Sequence, residues 1–194
     1  INNTANRGTG MCNANSSPEV TNCTLSLNTA DIKGAGMYNS LESSPEVTNC
    51  TFVSNSATQY GGGMFNGNNA SPNVSNCTFY LNNAADGAGM YNDYSSPIVT
   101  NCIFWGDGGE IYNSLDLSFT RIPQLSFCVV QGNDVGNGTI SNDIISADPN
   151  LQDLADNGGP TWTCALGEGS SAIDAGTSVE SPTTDQRGAP RPDD

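Results

Sequence analysis

One frame of fixed length is written five times along this chain, and it leaves little choice of fold. Cys23, Cys50, Cys77, Cys102 and Cys128 follow one another at steps of 27, 27, 25 and 26 residues. A proline stands five residues before each, from Pro18 to Pro123, and an Asn or Asp five residues after each: Asn28, Asn55, Asn82, Asp107 and Asn133. A second phrase recurs between the frames, as GTGMCN at 8–13, GAGMYN at 34–39, GGGMFN at 61–66, GAGMYN at 87–92 and GGEIYN at 108–113. Length varies only between the phrases. Constant segments with variable connections are the mark of stacked structural repeats, with insertions confined to loops.

In VTNCTF at 47–52, apolar residues do not alternate cleanly. Side chains of a strand alternate between faces, so a change of parity marks a bend. Asn49 is the residue best suited to it, because Asn tolerates the left-handed backbone conformation. Two short strands meeting at an Asn bend, with a third carrying Met-Tyr, make one coil. The expected fold class is all-β: a right-handed parallel β-helix (solenoid) of about 25–27 residues per coil, with five to seven coils over 1–146 and an irregular closing segment over 147–194. Stacked coils place like on like. The expected structural ladder is therefore an inward Asn column (Asn22, Asn49, Asn76, Asn101) beside a Cys column (Cys23, Cys50, Cys77, Cys102, Cys128), with Val20, Val47, Val74 and Val99 as a third.

Composition narrows the function. The chain carries 5 Lys and Arg against 20 Asp and Glu, a formal net charge of −15. Such a surface does not neutralise phosphates, which argues against nucleic acid and against anionic membranes. No apolar run is long enough for a transmembrane helix. The chain has no His, the commonest general base and metal ligand. It begins at Ile1 rather than Met, so the lack of an export signal carries no weight.

The pairing of GGGM with FVSN (52–55) and FYLN (79–82) resembles the repeats of bacterial polymorphic outer membrane proteins, which are surface-displayed β-helix adhesins. The stretch ADPNLQDLADNGGPTWTCALGEGSSAIDAG at 147–176, followed by TDQRGAPRP, is similar to the closing segment of secreted bacterial β-helix proteins of the choice-of-anchor type, with Cys164 where a His is usual. The resemblance implies an extracellular, cell-surface location and a structural or adhesive role. The alternative is a carbohydrate-binding or polysaccharide-degrading β-helix domain.

Candidate sites are few. Stacked Glu19 and Glu46 have the spacing of a glycosidase pair, but their column continues into Asn73 and Ile98, and they read as solvated charges. No catalytic constellation emerges, and the expectation is a non-enzyme without cofactor. GNDVGNG at 132–138 has a faint look of a calcium loop, with Asp134 and Asn137 as oxygen donors. Asp31, Asp86 and Asp107 fall in one variable region and read as a solvated acidic face. The residues after the inward Met and Ile (Tyr38, Phe65, Tyr91 and Tyr112) form an outward aromatic column, either an interaction face for a sugar or a protein neighbour, or a strip covered by the variable loop. The expected partner is another copy or a surface ligand, a glycan included. The chain starts inside a coil, with Asn3 in the place of Asn28. Open strand edges then favour head-to-tail stacking into a filament. Cys12 and Cys164, placed at opposite ends by this reading, would be a lock between copies.

Overall fold

The computed structural model describes residues 1–114, 121–137, 139–179 and 181–191. Parts of both expected segments, 115–120 in the coils and 138, 180 and 192–194 after them, lie outside the described residues. The chain winds as a parallel β-solenoid. One stack comprises Met11–Ala14, Met37–Ser40, Met64–Gly67, Met90–Asp93 and Ile111–Asn113. Met11, Met37, Met64, Met90 and Ile111 sit in register through it. A second stack runs through Glu19–Thr21, Glu46–Thr48, Asn73–Ser75 and Ile98–Thr100, and a third through Thr24–Ser26, Thr51–Val53, Thr78–Tyr80 and Ile103–Trp105. The long strand Gln124–Val130 pairs with both, and Ile140–Ile145 adds to it in parallel.

The first coils have a further short strand beyond the three expected. Thr4–Arg7, Thr29–Lys33 and Ser56–Ala57 pair in parallel between the Asn that closes each frame and the glycines that open the next phrase. Ala30, Ala35 and Ala57 pack there as a small separate cluster. Side chains this small let the connecting segment lie flat against its neighbours, so it forms a strand instead of a loop.

Between the second and third stacks the chain turns at Asn22, Asn49, Asn76 and Asn101, with φ of 53, 52, 53 and 54°. Phe127 takes the same conformation in the fifth frame, at φ 52°. The parity change falls one residue earlier than the sequence suggests. Val47, Cys50 and Phe52 all point inward, while Thr48 and Asn49 both point away from the axis. The inward Asn ladder therefore does not run through Asn22, Asn49, Asn76 and Asn101, where the only link along the column is Asn101 Nδ2 to Asn76 Oδ1 at 3.5 Å.

Two other columns supply it. Asn13, Asn39, Asn66, Asn92 and Asn113 pass side-chain bonds from each amide nitrogen to the next oxygen at 2.8–2.9 Å. Asn3, Asn28, Asn55 and Asn82 do the same at the end of each frame, and Asp107 follows them. The first column is inside because it closes a strand on its inward parity, two positions after the inward Met; in the second, Asn28, Asn55 and Asn82 follow the inward Leu25, Phe52 and Phe79 by three, and the positive φ of Leu27, Ser54 and Leu81 turns them in. Pairing of each amide with its neighbours along the column is what makes a buried polar column tolerable.

The core between the ladders is built of repeated apolar columns. Phe52, Phe79 and Phe104 stack face to face, with ring centroids 4.6 and 4.4 Å apart. Val47, Val74 and Val99 are wholly buried. Cys50, Cys77, Cys102 and Cys128 are buried, and Cys23, in the first coil, is half-buried. Each buried thiol donates to the carbonyl two residues back, as Cys50 does to Thr48 at 3.3 Å, and the Cys50 and Cys77 amides reach the next sulfur at 3.4 Å. Burial pushes the Cys77, Cys102 and Cys128 thiols well up, which disfavours the reactive thiolate. All seven cysteines are free thiols. A thiol reagent should accordingly modify exposed Cys12 at once, reach the buried column only on unfolding, and count seven thiols in denaturant without reductant. A lower count in denaturant would reveal disulfides, and rapid native labelling of Cys77 would contradict the packing.

Candidate functional site

After the last coil the chain does not continue along the axis. A hairpin of Leu151–Ala155 and Thr163–Leu166 lies back along the side of the solenoid, its connection reaching the first coil, and the residues after it lie along the same side. Thr24 Oγ1 donates to the Trp162 carbonyl at 2.6 Å, and Thr161 Oγ1 donates to the Asn22 carbonyl at 3.2 Å. Gln186 is the principal clamp. Its amide nitrogen donates to Thr24 Oγ1 and Thr161 Oγ1, both at 3.0 Å, while its oxygen accepts from Thr51 Oγ1 at 2.7 Å.

This docking explains the outward Asn column. Asn49 donates to the Thr184 carbonyl at 3.0 Å and accepts from Arg191 Nη2 at 3.0 Å. Asn101 donates to the Thr177 carbonyl and to Ser181 Oγ, both at 2.8 Å, and accepts from the Thr177 amide at 2.9 Å. The Asn bend thus has two uses: it turns the chain, and its amide anchors the returning segment. Asn76, between these anchors, is different. Its Nδ2 is buried without a partner, as is Arg191 Nε.

Around Asn76 the segment stands off the coils and leaves a groove of about 820 Å³. Its walls include Thr78, Asn101 and Ile103 from the coils and Cys164, Asp174 and Arg187 from the segment. The charges are largely engaged. Arg187 donates to Asp185 through Nε at 2.8 Å and Nη2 at 2.6 Å, and the hydrogen bonds from Arg187 and Ala189 hold the Asp185 carboxyl below its usual range despite burial. Burial raises the Cys164 thiol to about 11, and nearby Asp153 adds to this. Chemically, the groove offers hydroxyl and amide donors and acceptors with a neutral thiol.

The fold-back corrects the placement of Cys164. It lies in the hairpin strand opposite Leu154, beside the coils, not past their far end. Cys12 is exposed in another stack, opposite Tyr38. The two do not mark opposite ends of the molecule, so the axial reasoning for a lock between them fails.

Asp134 and Asn137 are occupied in closing the solenoid. Asp134 Oδ2 accepts from the Glu110 amide at 3.1 Å, and the Asn137 carbonyl accepts from Asn113 Nδ2 at 2.9 Å. Among the described residues, no group of three or more His, Cys, Asp or Glu has the arrangement of a metal site. Asp107 is not on a solvated face but buried within the second ladder.

Tyr38, Phe65, Tyr91 and Tyr112 stack at 5.3, 5.5 and 5.1 Å. The loop side of this strip is covered: Lys33 Nζ lies 4.1 Å over the Phe65 ring, and Tyr60 packs 4.6 Å from Tyr91. Phe65 is 1% exposed, while Tyr112 retains 41%. Burial, then the Asp93 charge, raises the Tyr91 hydroxyl to about 12. The covering groups are a cation and a ring, both of which favour an aromatic face.

The clamp of Gln186, Arg191 and the Asn bends was not apparent from sequence, because its partners lie up to 163 positions apart. The signal present was the repetition of Asn at a bend that a Gly would also serve.

Residues 1–121 match the family model described as right handed beta helix region. No curated protein and no solved structure matches the chain.

Proposed function

The chain belongs to the right-handed β-helix family, and on that premise we propose that it is an extracellular structural and adhesive module of a bacterial-type cell surface, not an enzyme. The observation that carries this reading is the clamp. Polar groups along this face brace the coils, through Gln186, Asn49, Asn101 and Arg191. A braced solenoid resists bending and presents its flanks. The strands of the first coil are each the outer member of their sheet, an edge to which a further strand adds in register, from this chain or another copy. Head-to-tail assembly into a filament rests on that edge.

Carbohydrate binding is a second reading, favoured by the lateral groove of hydroxyl and amide groups beside Asn76, which suits a hydroxyl-rich chain. One experiment separates the readings. Purified protein is incubated with a panel of soluble and insoluble polysaccharides, and retention, concentration-dependent sedimentation and new sugar ends are followed together. The adhesive module should sediment as oligomers or stay on the solid without releasing ends. Retention that Asn76→Ala abolishes would select glycan binding in the groove. Release of new reducing or unsaturated ends would overturn the non-catalytic reading.

A further inference from the structure

In the ladder that closes each frame, the amide nitrogens donate along the column, and those of Asn55 and Asn82 have a second duty. The first duty is to the oxygen of the next rung, from Asn28 to Asn55 at 2.8 Å and from Asn55 to Asn82 at 3.0 Å. The second is to a strand carbonyl, from Asn55 to Leu25 at 2.8 Å and from Asn82 to Phe52 at 3.0 Å. The next rung is Asp107, which has no nitrogen to offer. Its Oδ1 accepts from the Asn82 amide at 2.6 Å and from Asn82 Nδ2 at 3.4 Å, leaving Oδ2 in the nitrogen's place.

Glycines report that place independently. A Cβ at Gly10 or Gly36 would meet Asn28 Nδ2 at 3.0 Å or Asn55 Nδ2 at 3.2 Å, and one at Gly89 would meet Asp107 Oδ2 at 2.7 Å. Leu25, Phe52 and Phe79 share one column, so the carbonyl that this position serves is that of Phe79, an acceptor. Yet Oδ2 is buried and has no partner. On the other side, the Asp107 amide donates to Glu110 Oε1 at 3.3 Å, so a second carboxyl fills the next rung, and its Oε2 is likewise buried and unpartnered.

We propose that Asp107 is protonated in the folded protein, its hydroxyl standing in for the missing amide donor, so that the asparagine ladder ends in a carboxyl proton beside Glu110 and the final coils loosen as that proton is lost. Two ionised carboxylates at adjacent rungs would face each other and a carbonyl without a counter-charge, whereas one proton supplies the donor. Burial, then the charge of Glu110, pushes the Asp107 carboxyl well up, and burial raises Glu110 to about 7. The titratable groups acting on the pair are each other and Asp134, whose carboxylate accepts the Glu110 amide across the closing turn.

The sign follows from linkage. Folded-state values above the unfolded ones mean that the native protein holds more protons, so the stabilisation is complete below the ordinary carboxylate range and is lost as pH rises through about 7 and beyond. The test compares melting temperatures of the wild type, Asp107→Asn and Glu110→Gln between pH 4 and pH 9. Asn is the residue of the four preceding rungs, so the first variant fits the slot. At pH 8 it should melt ~3 °C or more above wild type, and at pH 4 within ~1 °C of it. Glu110→Gln should flatten the alkaline fall in the same direction. Infrared spectra at pH 7 should show a protonated-carboxyl band in the wild type that is weaker in Asp107→Asn. Parallel pH profiles for wild type and Asp107→Asn, or no such weakening of the band, would overturn the proposal. A wild-type melting temperature at pH 8 that rises with added Ca²⁺ and falls with chelator would also overturn it, placing a cation where the proton is assigned.

Discussion

Replacing Phe79 with Ala lowers the unfolding free energy by ~3–5 kcal/mol in urea denaturation, the largest effect expected from a single truncation in this chain. Phe79 is wholly buried and lies between Phe52 and Phe104, stacked within 4.6 Å of one and 4.4 Å of the other. Truncation removes contacts to both neighbouring coils, and rings held in a stacked column have little room to collapse into the void. In a solenoid each coil touches only its neighbours, so the damage is local. Hydrogen exchange should quicken first in Thr51–Val53 and Ile103–Trp105, the strands that flank Phe79. Tyr112, 41% exposed at one end of the outer aromatic strip, gives the contrast. Its truncation should cost ~1 kcal/mol or less, the value of a stacked pair with little burial. Equal losses at the two sites would mean that the Phe column does not hold the coils together.

Asn66→Leu should destabilise by a comparable amount, although it replaces a polar core residue with an apolar one of similar size. Asn39 Nδ2 donates to Asn66 Oδ1 at 2.9 Å, and Asn66 Nδ2 donates to Asn92 Oδ1 at 2.9 Å. Leucine breaks both links and leaves a buried donor on one side and a buried acceptor on the other. Each orphan costs ~1–3 kcal/mol, which gives a loss of ~2–6 kcal/mol against a small gain in hydrophobic burial. Asn83→Ala removes a single exposed 3.3 Å bond to Ser56 and should stay within ~0.5 kcal/mol of wild type. Should Asn66→Leu prove neutral or stabilising, the ladder would be a consequence of the stacking and not one of its supports.

The repeated frame made the solenoid legible. Cys and Pro at constant separation fixed the coil length, and the run of Val, Asn and Cys required a bend at which Asn49 adopts positive φ. Those features are local, since strand alternation and left-handed tolerance are properties of a few adjacent residues. The same run left the parity ambiguous by one residue, and that residue decided which Asn columns face inward. The inward columns pass through Asn39, which closes a recurring phrase, and Asn55, which closes a frame, but recurrence alone does not tell an inward amide from an outward one.

Sequence by itself determined the coil, the parallel stacking and the like-on-like columns, because each follows from short-range periodicity repeated at constant length. Tertiary structure alone decided the return of the closing segment along the flank and the clamp of Gln186 on Thr24 and Thr51. Each of these is a contact between segments that nothing in their spacing relates. It exists because unsatisfied polar groups on two surfaces find each other once the coils are stacked, and pairing them removes the cost of burying them alone.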